Sequence, residues 1–451
     1  MNLRLGSLRI HLNISQIIAL TFLGIILLGT ILLALPVSSA DNQSCGFLTA
    51  LFTATSSVCV TGLSVVDVWS SFSFFGQLVM LFLIEAGGLG FMSIISLLFF
   101  LVNHQSNIQS LSLIAGSLGT DGMKDIVRIQ KRLIFGSLIF EGIGALILFL
   151  NLLPECGFGT SLWLGIFHSV SSFCNAGFDL MGLSGPGASI SSLQTNPVAL
   201  ITLALLVVIG GIGFIVWDDI MSSRHPRYWS INTRLVLTIT SILLATGTLI
   251  YLVFEYNNPA TLGPLSFSDK LVNSFFQSVT PRTAGFGVLD QSSLTGTSNA
   301  LTMLLMLIGG SASSTAGGIK TVTFAIVIIT IISNASGRRN IVLMKRTISS
   351  EQVTHAFTIT GAYAILSLLG GFIISLTSNV NFSKALYESV SALATVGLSL
   401  GLTPSLSFIS KLLVIAFMYI GRVGLLTITL GFFKNKENPA IKYPSVNVMI
   451  G

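Results

Sequence analysis

Four glycines mark the places where this chain can do chemistry. Gly62, Gly177, Gly285 and Gly397 each close a short apolar segment that opens on an aromatic residue: Phe52, Phe167, Phe276 and Tyr387. The aromatic stands ten residues before the glycine in three copies and nine before it in the third, and the glycines are 115, 108 and 112 residues apart. The chemistry open to such loops is that of the backbone, because carbonyl oxygens turned toward a common axis can replace the water an ion sheds. Turning successive carbonyls one way requires positive φ, which glycine adopts without a Cβ penalty. Four such loops around a pseudo-fourfold axis would line one cation path. Its strands would be Val60-Thr61-Gly62, Asn175-Ala176-Gly177, Thr283-Ala284-Gly285 and Thr395-Val396-Gly397, with the glycines as one ring of ion sites.

A second constellation follows Gly285 by 24 residues. Gly309, Gly310, Ser311, Ala312, Ser313, Ser314, Thr315, Ala316, Gly317 and Gly318 run without a large side chain inside an apolar window at 299–333. Each glycine costs a helix up to about 1 kcal/mol relative to alanine, so the window is expected to break into two half-helices joined by a polar, mobile loop. That loop would lie below the glycine ring, on the cytoplasmic side, where it can obstruct a pore and move aside. A helix-packing face of small residues is the competing reading. A phosphate-binding loop is excluded, because glycine must directly precede the lysine of that motif and Ile319 stands between Gly318 and Lys320.

Arg422 is the only arginine of the last apolar window and takes the place that a second glycine holds in Gly87-Gly88-Leu-Gly90 and Gly210-Gly211-Ile-Gly213. A charge at that depth costs about 2.5–3.5 kcal/mol on insertion scales and faces a polar interior. Arg422 is therefore expected to donate to carbonyls or hydroxyls of the 309–318 loop and to raise a positive barrier below the ring. Pairing with Glu85 or Glu141 for folding is the alternative. Arg282 is expected to pair with an outer acid such as Glu388, and Lys320 to lie near the cytoplasmic mouth.

The elements that position these residues follow from composition. The chain has 451 residues, 52% hydrophobic and 8% charged, where a soluble domain carries about 25% charged residues. It is expected to be an all-α polytopic membrane protein, with apolar windows at 15–35, 74–102, 134–153, 197–220, 235–256, 299–333, 354–377 and 408–433. The first of these reads as a span, not a cleavable signal. Eight spans put both termini on one side, and 16 of the 22 Lys and Arg fall in loops on that face, which makes it cytoplasmic. Asp41, Asp67, Glu155, Asp179, Glu255, Asp269 and Asp290 fall on the other face, where acids at a pore mouth would concentrate cations.

Between spans, segments 44–56, 160–172, 268–279 and 381–393 are apolar but too short to cross. Each would re-enter the membrane as a short helix whose partly negative C-terminal end points at the axis. The chain therefore divides into four tandem units, 1–102, 103–220, 221–333 and 334–433, followed by a cytoplasmic tail, 434–451. Nucleic acid is excluded because the bases form no patch. Cys45, Cys59, Cys156 and Cys174 have neither disulfide nor zinc spacing. An enzyme is disfavoured by the lack of a nucleophile or paired-acid motif. A midplane-site secondary transporter would call for inverted repeats, whereas these units share one orientation.

The loops Val-Cys-Val-Thr-Gly62-Leu, Cys-Asn-Ala-Gly177-Phe-Asp, Val-Thr-Pro-Arg-Thr-Ala-Gly285-Phe and Ala-Thr-Val-Gly397-Leu resemble those of the Trk/Ktr/HKT superfamily of potassium transporters. The compact eight-span length is most similar to the KtrB branch. That resemblance covers the whole chain and implies K+ uptake across a bacterial cytoplasmic membrane through a single-chain pore, with K+ at Gly62, Gly177, Gly285 and Gly397. It further implies a homodimer, a cytosolic ring of nucleotide-binding KtrA-type regulatory subunits, no cofactor, and Na+ as a stimulating or coupled ion. Glycine in the first loop goes with K+ selectivity in this superfamily and serine with Na+ passage. A Na+-permeable or Na+/H+-coupled transporter of the same architecture is the neighbouring reading. The resemblance agrees on Arg422 as part of the gate.

Overall fold

The computed structural model describes residues 2–5, 8–11, 14–90, 126–185, 189–223, 225–337 and 340–424. An antiparallel hairpin, β1 (Asn2–Leu5) and β2 (Leu8–His11), opens the first unit, which continues with α1 (Ile14–Ala34), α2 (Phe47–Val58), the single turn α3 (Val68–Ser71) and α4 (Phe74–Gly88). The second contains α5 (Ile126–Cys156), α6 (Phe158–Phe173), α7 (Pro197–Gly211) and α8 (Phe214–Ser222). The third contains α9 (Ile231–Glu255), α10 (Phe267–Val279), α11 (Gly296–Leu307) and α12 (Thr321–Ala335). A second hairpin, β3 (Val342–Leu343) and β4 (Arg346–Thr347), leads to α13 (Ser350–Ser378), α14 (Phe382–Leu393) and α15 (Phe408–Val423) of the fourth. The two hairpins are the departure from an all-helical chain. Helices α8 and α12 run two residues past the unit boundaries drawn at 220 and 333, and the boundaries at 102 and 433 lie outside the described residues.

The first helix of every unit is long and apolar enough to cross a membrane, at 20 to 29 residues and a mean hydropathy of 1.9 to 2.8. These helices turn large side chains outward, among them Leu28 and Ile31 on α1, Phe135 and Leu138 on α5, Leu249 and Val253 on α9, and Leu376 on α13. An apolar exterior is stable only against lipid tails, so this is a multi-pass membrane protein. Polar side chains are drawn inward alongside the apolar core: Ser56, Ser57, Ser171, Ser172, Ser389 and Ser391 on the short helices are buried.

Helices α4, α7, α11 and α15, which open the second apolar window of each unit and are called its second helix, start on a side-chain cap, in which Ser73, Asn196, Thr295 and Ser407 accept from Gly76, Ala199, Ser298 and Ser410 backbone N–H groups. Each cap satisfies one otherwise orphaned donor and is worth about 1 kcal/mol. This further register of the repeat lies in plain polar residues and escaped the sequence reading.

The small-residue clusters fix how far the second helices run. A Cβ on Gly87, Gly210 or Gly421 would come within 2.0, 2.0 and 2.1 Å of the Val58, Phe173 and Leu393 carbonyl oxygens, the last carbonyls of α2, α6 and α14. Close packing is thus what these glycines do in three units. The glycine three residues on has left the helical conformation, with φ of +81° at Gly90, +97° at Gly213 and +91° at Gly424. Helices α7 and α8 consequently meet at 90°, where the 197–220 window reads as one straight span. Breakage, expected only in the third unit, is present in the second as well. In the third unit α11 stops at Leu307, before its cluster, and α12 resumes at Thr321.

Candidate ion pore

The four glycine loops close into a ring in chain order. A Cβ on Gly62 would lie 3.1 Å from Gly177 Cα, one on Gly177 2.9 Å from Gly285 Cα, one on Gly285 3.2 Å from Gly397 Cα, and one on Gly397 3.1 Å from Gly62 Cα. Each would also strike a neighbouring loop's carbonyl oxygen, that of Ala176, Ala284, Val396 or Thr61, at 2.2 to 2.5 Å. With φ between +68° and +100° at all four, any side chain there is strained and must displace its neighbour.

Two residues earlier a second left-handed position recurs: Val60 (φ +55°), Asn175 (+58°), Thr283 (+70°) and Thr395 (+52°). Such a φ is a real cost for a β-branched side chain. It is held by the short helices, since Thr61, Ala176 and Val396 N–H groups donate to the Ser56, Ser171 and Ser391 carbonyls at 2.7 to 2.8 Å, and Gly285 N–H to that of Thr280 at 3.2 Å. Gly62 and Gly397 N–H groups reach the Ser56 and Ser391 hydroxyls at 3.1 Å. In a trans peptide the carbonyl opposes the N–H, and the described chain has no cis bond. With their N–H groups turned back on the scaffold, the carbonyls of Val60, Thr61, Asn175, Ala284, Thr395 and Val396 face away from it, toward the centre of the ring.

Outside the ring opens a vestibule of about 660 Å³ lined by the four glycines together with Asp67, Asp179 and Asp290. Of the seven acids expected outside, these three reach it. Asp179 accepts from Met181 N–H at 3.0 Å and from the Ser189 hydroxyl at 2.9 Å. Partial burial opposes charge on Asp290, but the hydroxyls of Ser293 and Ser292 and the Ser292 N–H outweigh it and hold its carboxyl below the ordinary value.

On the side of the ring away from the vestibule lies the 309–318 loop, joining two half-helices as expected and pinned at many points. Gly309 N–H donates to the Ile319 carbonyl and Ile319 N–H to that of Leu307, both at 3.0 Å, closing the neck of the loop. Its body docks on the α7–α8 break: Ser311 and Thr315 N–H groups donate to the Gly211 and Gly210 carbonyls at 3.0 and 3.4 Å, and Phe214 N–H returns a bond to the Ser313 carbonyl at 2.8 Å. The far side abuts the fourth loop, where a Cβ on Gly317 would fall 2.0 Å from Thr395 Oγ1. Ala312 is exposed at the tip, while Gly310, Ala316 and Gly318 are buried and Ser314 is half-buried.

Arg422 reaches this loop from the fourth unit. It donates through NH1 to the Thr315 carbonyl and through NH2 to those of Gly87 and Gly88, the last at 3.1 Å. A loop from the third unit is thereby tied to the second, fourth and first. Neither Glu85 nor Glu141 is among the partners of Arg422, and Cys174 Sγ instead donates to Glu85 at 3.4 Å. Arg282 does not meet Glu388, which accepts from the Ser399 and Thr403 hydroxyls on the vestibule side. The guanidinium turns inward, its NH2 donating to the Gly309 carbonyl at 3.4 Å and the Thr240 hydroxyl at 3.5 Å. Lys320 folds back beneath the loop and donates to the Ala316 carbonyl at 2.7 Å. All four cysteines are free thiols.

A ring of inward carbonyls below an acid-lined vestibule, set among apolar spans, is the equipment of a membrane protein that passes cations. The chain belongs to the TrkH family of cation transport proteins, whose sequence profile matches it over residues 11–442. It is 37% identical to the potassium/sodium uptake protein NtpJ of Enterococcus hirae, covering 98% of both chains. It is also 37% identical to the Ktr system potassium uptake protein B of Bacillus subtilis, over 97% of this chain and 96% of that one. In fold it is similar to the potassium transporter TrkH of Vibrio parahaemolyticus, with a TM-score of 0.70 over 91% of this chain and 84% of that one at 21% identity. These relatives are transport proteins, not enzymes.

Proposed function

We propose that this protein takes up K+ across a bacterial cytoplasmic membrane through the four-loop ring, with both termini in the cytoplasm. The closed ring of Gly62, Gly177, Gly285 and Gly397 is the observation that carries the reading. Carbonyls from alternating left-handed positions exchange for the hydration shell of K+ in the strands Val60–Gly62, Asn175–Gly177, Thr283–Gly285 and Thr395–Gly397. Asp67, Asp179 and Asp290 raise the cation concentration at the entrance. The loop 309–318 is the gate, seated below the ring and latched by Arg422, whose charge adds an electrostatic barrier. Uptake requires the loop to leave its seat on the α7–α8 break. A cytosolic nucleotide-binding ring of the KtrA type drives that step on a homodimer of this chain, a partner suggested by the Ktr system relative. Na+ acts as a stimulating or coupled ion, as the name of the Enterococcus relative suggests.

Expression in cells lacking K+ uptake is expected to restore growth at low K+. Gly62→Ser, measured for K+ and Na+ uptake side by side, is expected to admit Na+. Unchanged selectivity in that variant would remove the assignment of the ring as filter.

A further inference from the structure

Arg282 is the charged group that a carbonyl filter and an Arg422 latch leave unused. Of the four residues three places before a ring glycine, Cys59, Cys174, Arg282 and Ala394, it alone is charged. The place suits a small side chain: at the seam of the first and second units a Cβ on Gly88 would approach Cys174 Sγ to 2.5 Å. At the next seam Arg282 fills the corresponding space against Gly211, Thr240 and Gly310, leaving a cavity of about 10 Å³, room for about one water. The side chain is 7% exposed, its Nε has no partner among the described residues, and its NH2 bonds are to a carbonyl and a hydroxyl, with no acid. Burying a cation this way is expensive, so its few acceptors matter.

One of those acceptors is Gly309, the first residue of the 309–318 loop, while the next residue after Arg282 is Thr283, held at φ +70° in the third strand of the ring. We propose that Arg282 is a positioning residue that couples the gate loop to the filter, an inference that rests on the proposed pore. With the loop seated, the Gly309 carbonyl fixes the guanidinium and so the strand behind it. When the loop withdraws, the guanidinium loses one of its two acceptors and has only the small cavity to turn into, so it follows the loop and shifts Thr283. Coupling of this kind is reciprocal: an ion-filled third strand also favours one position of the loop. Arg422 differs, since it grips Thr315 from another unit and belongs to no filter strand.

The test uses the full chain in liposomes, with tracer Rb+ and Na+ fluxes measured in the absence of any regulatory partner. Arg282→Gln is expected to raise resting Rb+ flux and lower the Rb+/Na+ ratio, each by about fivefold, the low end of measured coupling factors. Arg282→Lys restores part of both, and Thr240→Val, which removes the other acceptor, moves both the same way by less. Combined with Arg422→Ala, the flux increase is smaller than the product of the single effects, because both side chains hold one loop. A packing role alone would lower flux in proportion to folded protein with the ratio unchanged, and that result overturns the proposal, as does a multiplicative double variant. If Arg282→Gln fails to reach the membrane, an unchanged ratio in both Arg282→Lys and Thr240→Val overturns it equally. Gly62→Ser separates the two claims: no change there sinks the filter itself, whereas a change there with none in the Arg282 and Thr240 variants sinks only the coupling.

Discussion

The second and third units carry the same small-residue signal in their second helices and build opposite things from it. In the second, Gly210 lets α7 press on the Phe173 carbonyl and Gly213 turns the chain through 90° within two residues. In the third, the helix ends before its cluster and the chain spends residues 308–320 on a loop that sits on the break of its neighbour. A glycine pair therefore serves as a packing surface where the helix continues beside a pore helix, and as a hinge where it does not. The receptor and the loop it receives are two copies of one repeat, diverged in length.

The sharpest way to break this comparison is to place one methyl group in each copy. Gly210→Ala puts a Cβ 2.0 Å from the Phe173 carbonyl, and Gly309→Ala puts one 1.9 Å from the Gly317 carbonyl. Both clashes are with backbone and must be relieved by movement. Relief in the second unit disturbs the end of α6 beneath the ring, so the expected outcome is loss of folded protein and of transport, read by membrane yield and Rb+ flux. In the third unit it unseats the loop, so normal yield with a resting flux raised about tenfold or more is expected, an opening worth at least about 1.4 kcal/mol. Equal loss of yield in both variants would show that the two clusters do the same job.

Next in size is Arg422→Ala. It removes charge-assisted bonds worth about 1.5–3 kcal/mol each before compensation and leaves the loop held to its neighbours mainly by its bonds with Gly210, Gly211 and Phe214 of the second unit. Resting flux is expected to rise about tenfold with unchanged ion preference. An unchanged flux would mean that docking on the second unit alone holds the loop.

The smallest effect tests what the two units share. Asn196→Ala and Thr295→Ala remove equivalent caps of α7 and α11 and should each cost about 1 kcal/mol. Both are expected to lower the thermal midpoint in detergent by a similar amount and to leave flux per folded molecule alone. A rise in resting flux confined to Thr295→Ala would extend the gate to the whole of α11.

The ring glycines were legible because glycine is the residue type that meets positive φ without strain, and the repeat spacing then counts them. Val60, Asn175, Thr283 and Thr395 were legible as neighbours of those glycines but not as left-handed residues, since nothing in valine or threonine announces that conformation. They adopt it because N–H groups one residue on are tied to α2, α6, α10 and α14. The misplaced partner of Arg282 has a similar cause. A sequence shows that a buried cation needs an acceptor, and an acid is the obvious one, but the choice of the Gly309 carbonyl over Glu388 depends on where α11 stops.

The sequence by itself determined the medium, the fourfold repeat, the glycine ring and the break after Leu307, because each follows from local composition: apolar length, spacing, and the backbone freedom of glycine. Only the tertiary structure decided which units meet. The expected bond of Arg422 to the 309–318 loop falls on the Thr315 carbonyl, but the chain order of the ring, the docking of residues 311–315 on Gly210 and Gly211, and the further reach of Arg422 to Gly87 and Gly88 of the first unit are contacts between segments about a hundred residues or more apart. Their acceptors are backbone oxygens, which every residue carries, so no side-chain pattern could have named them.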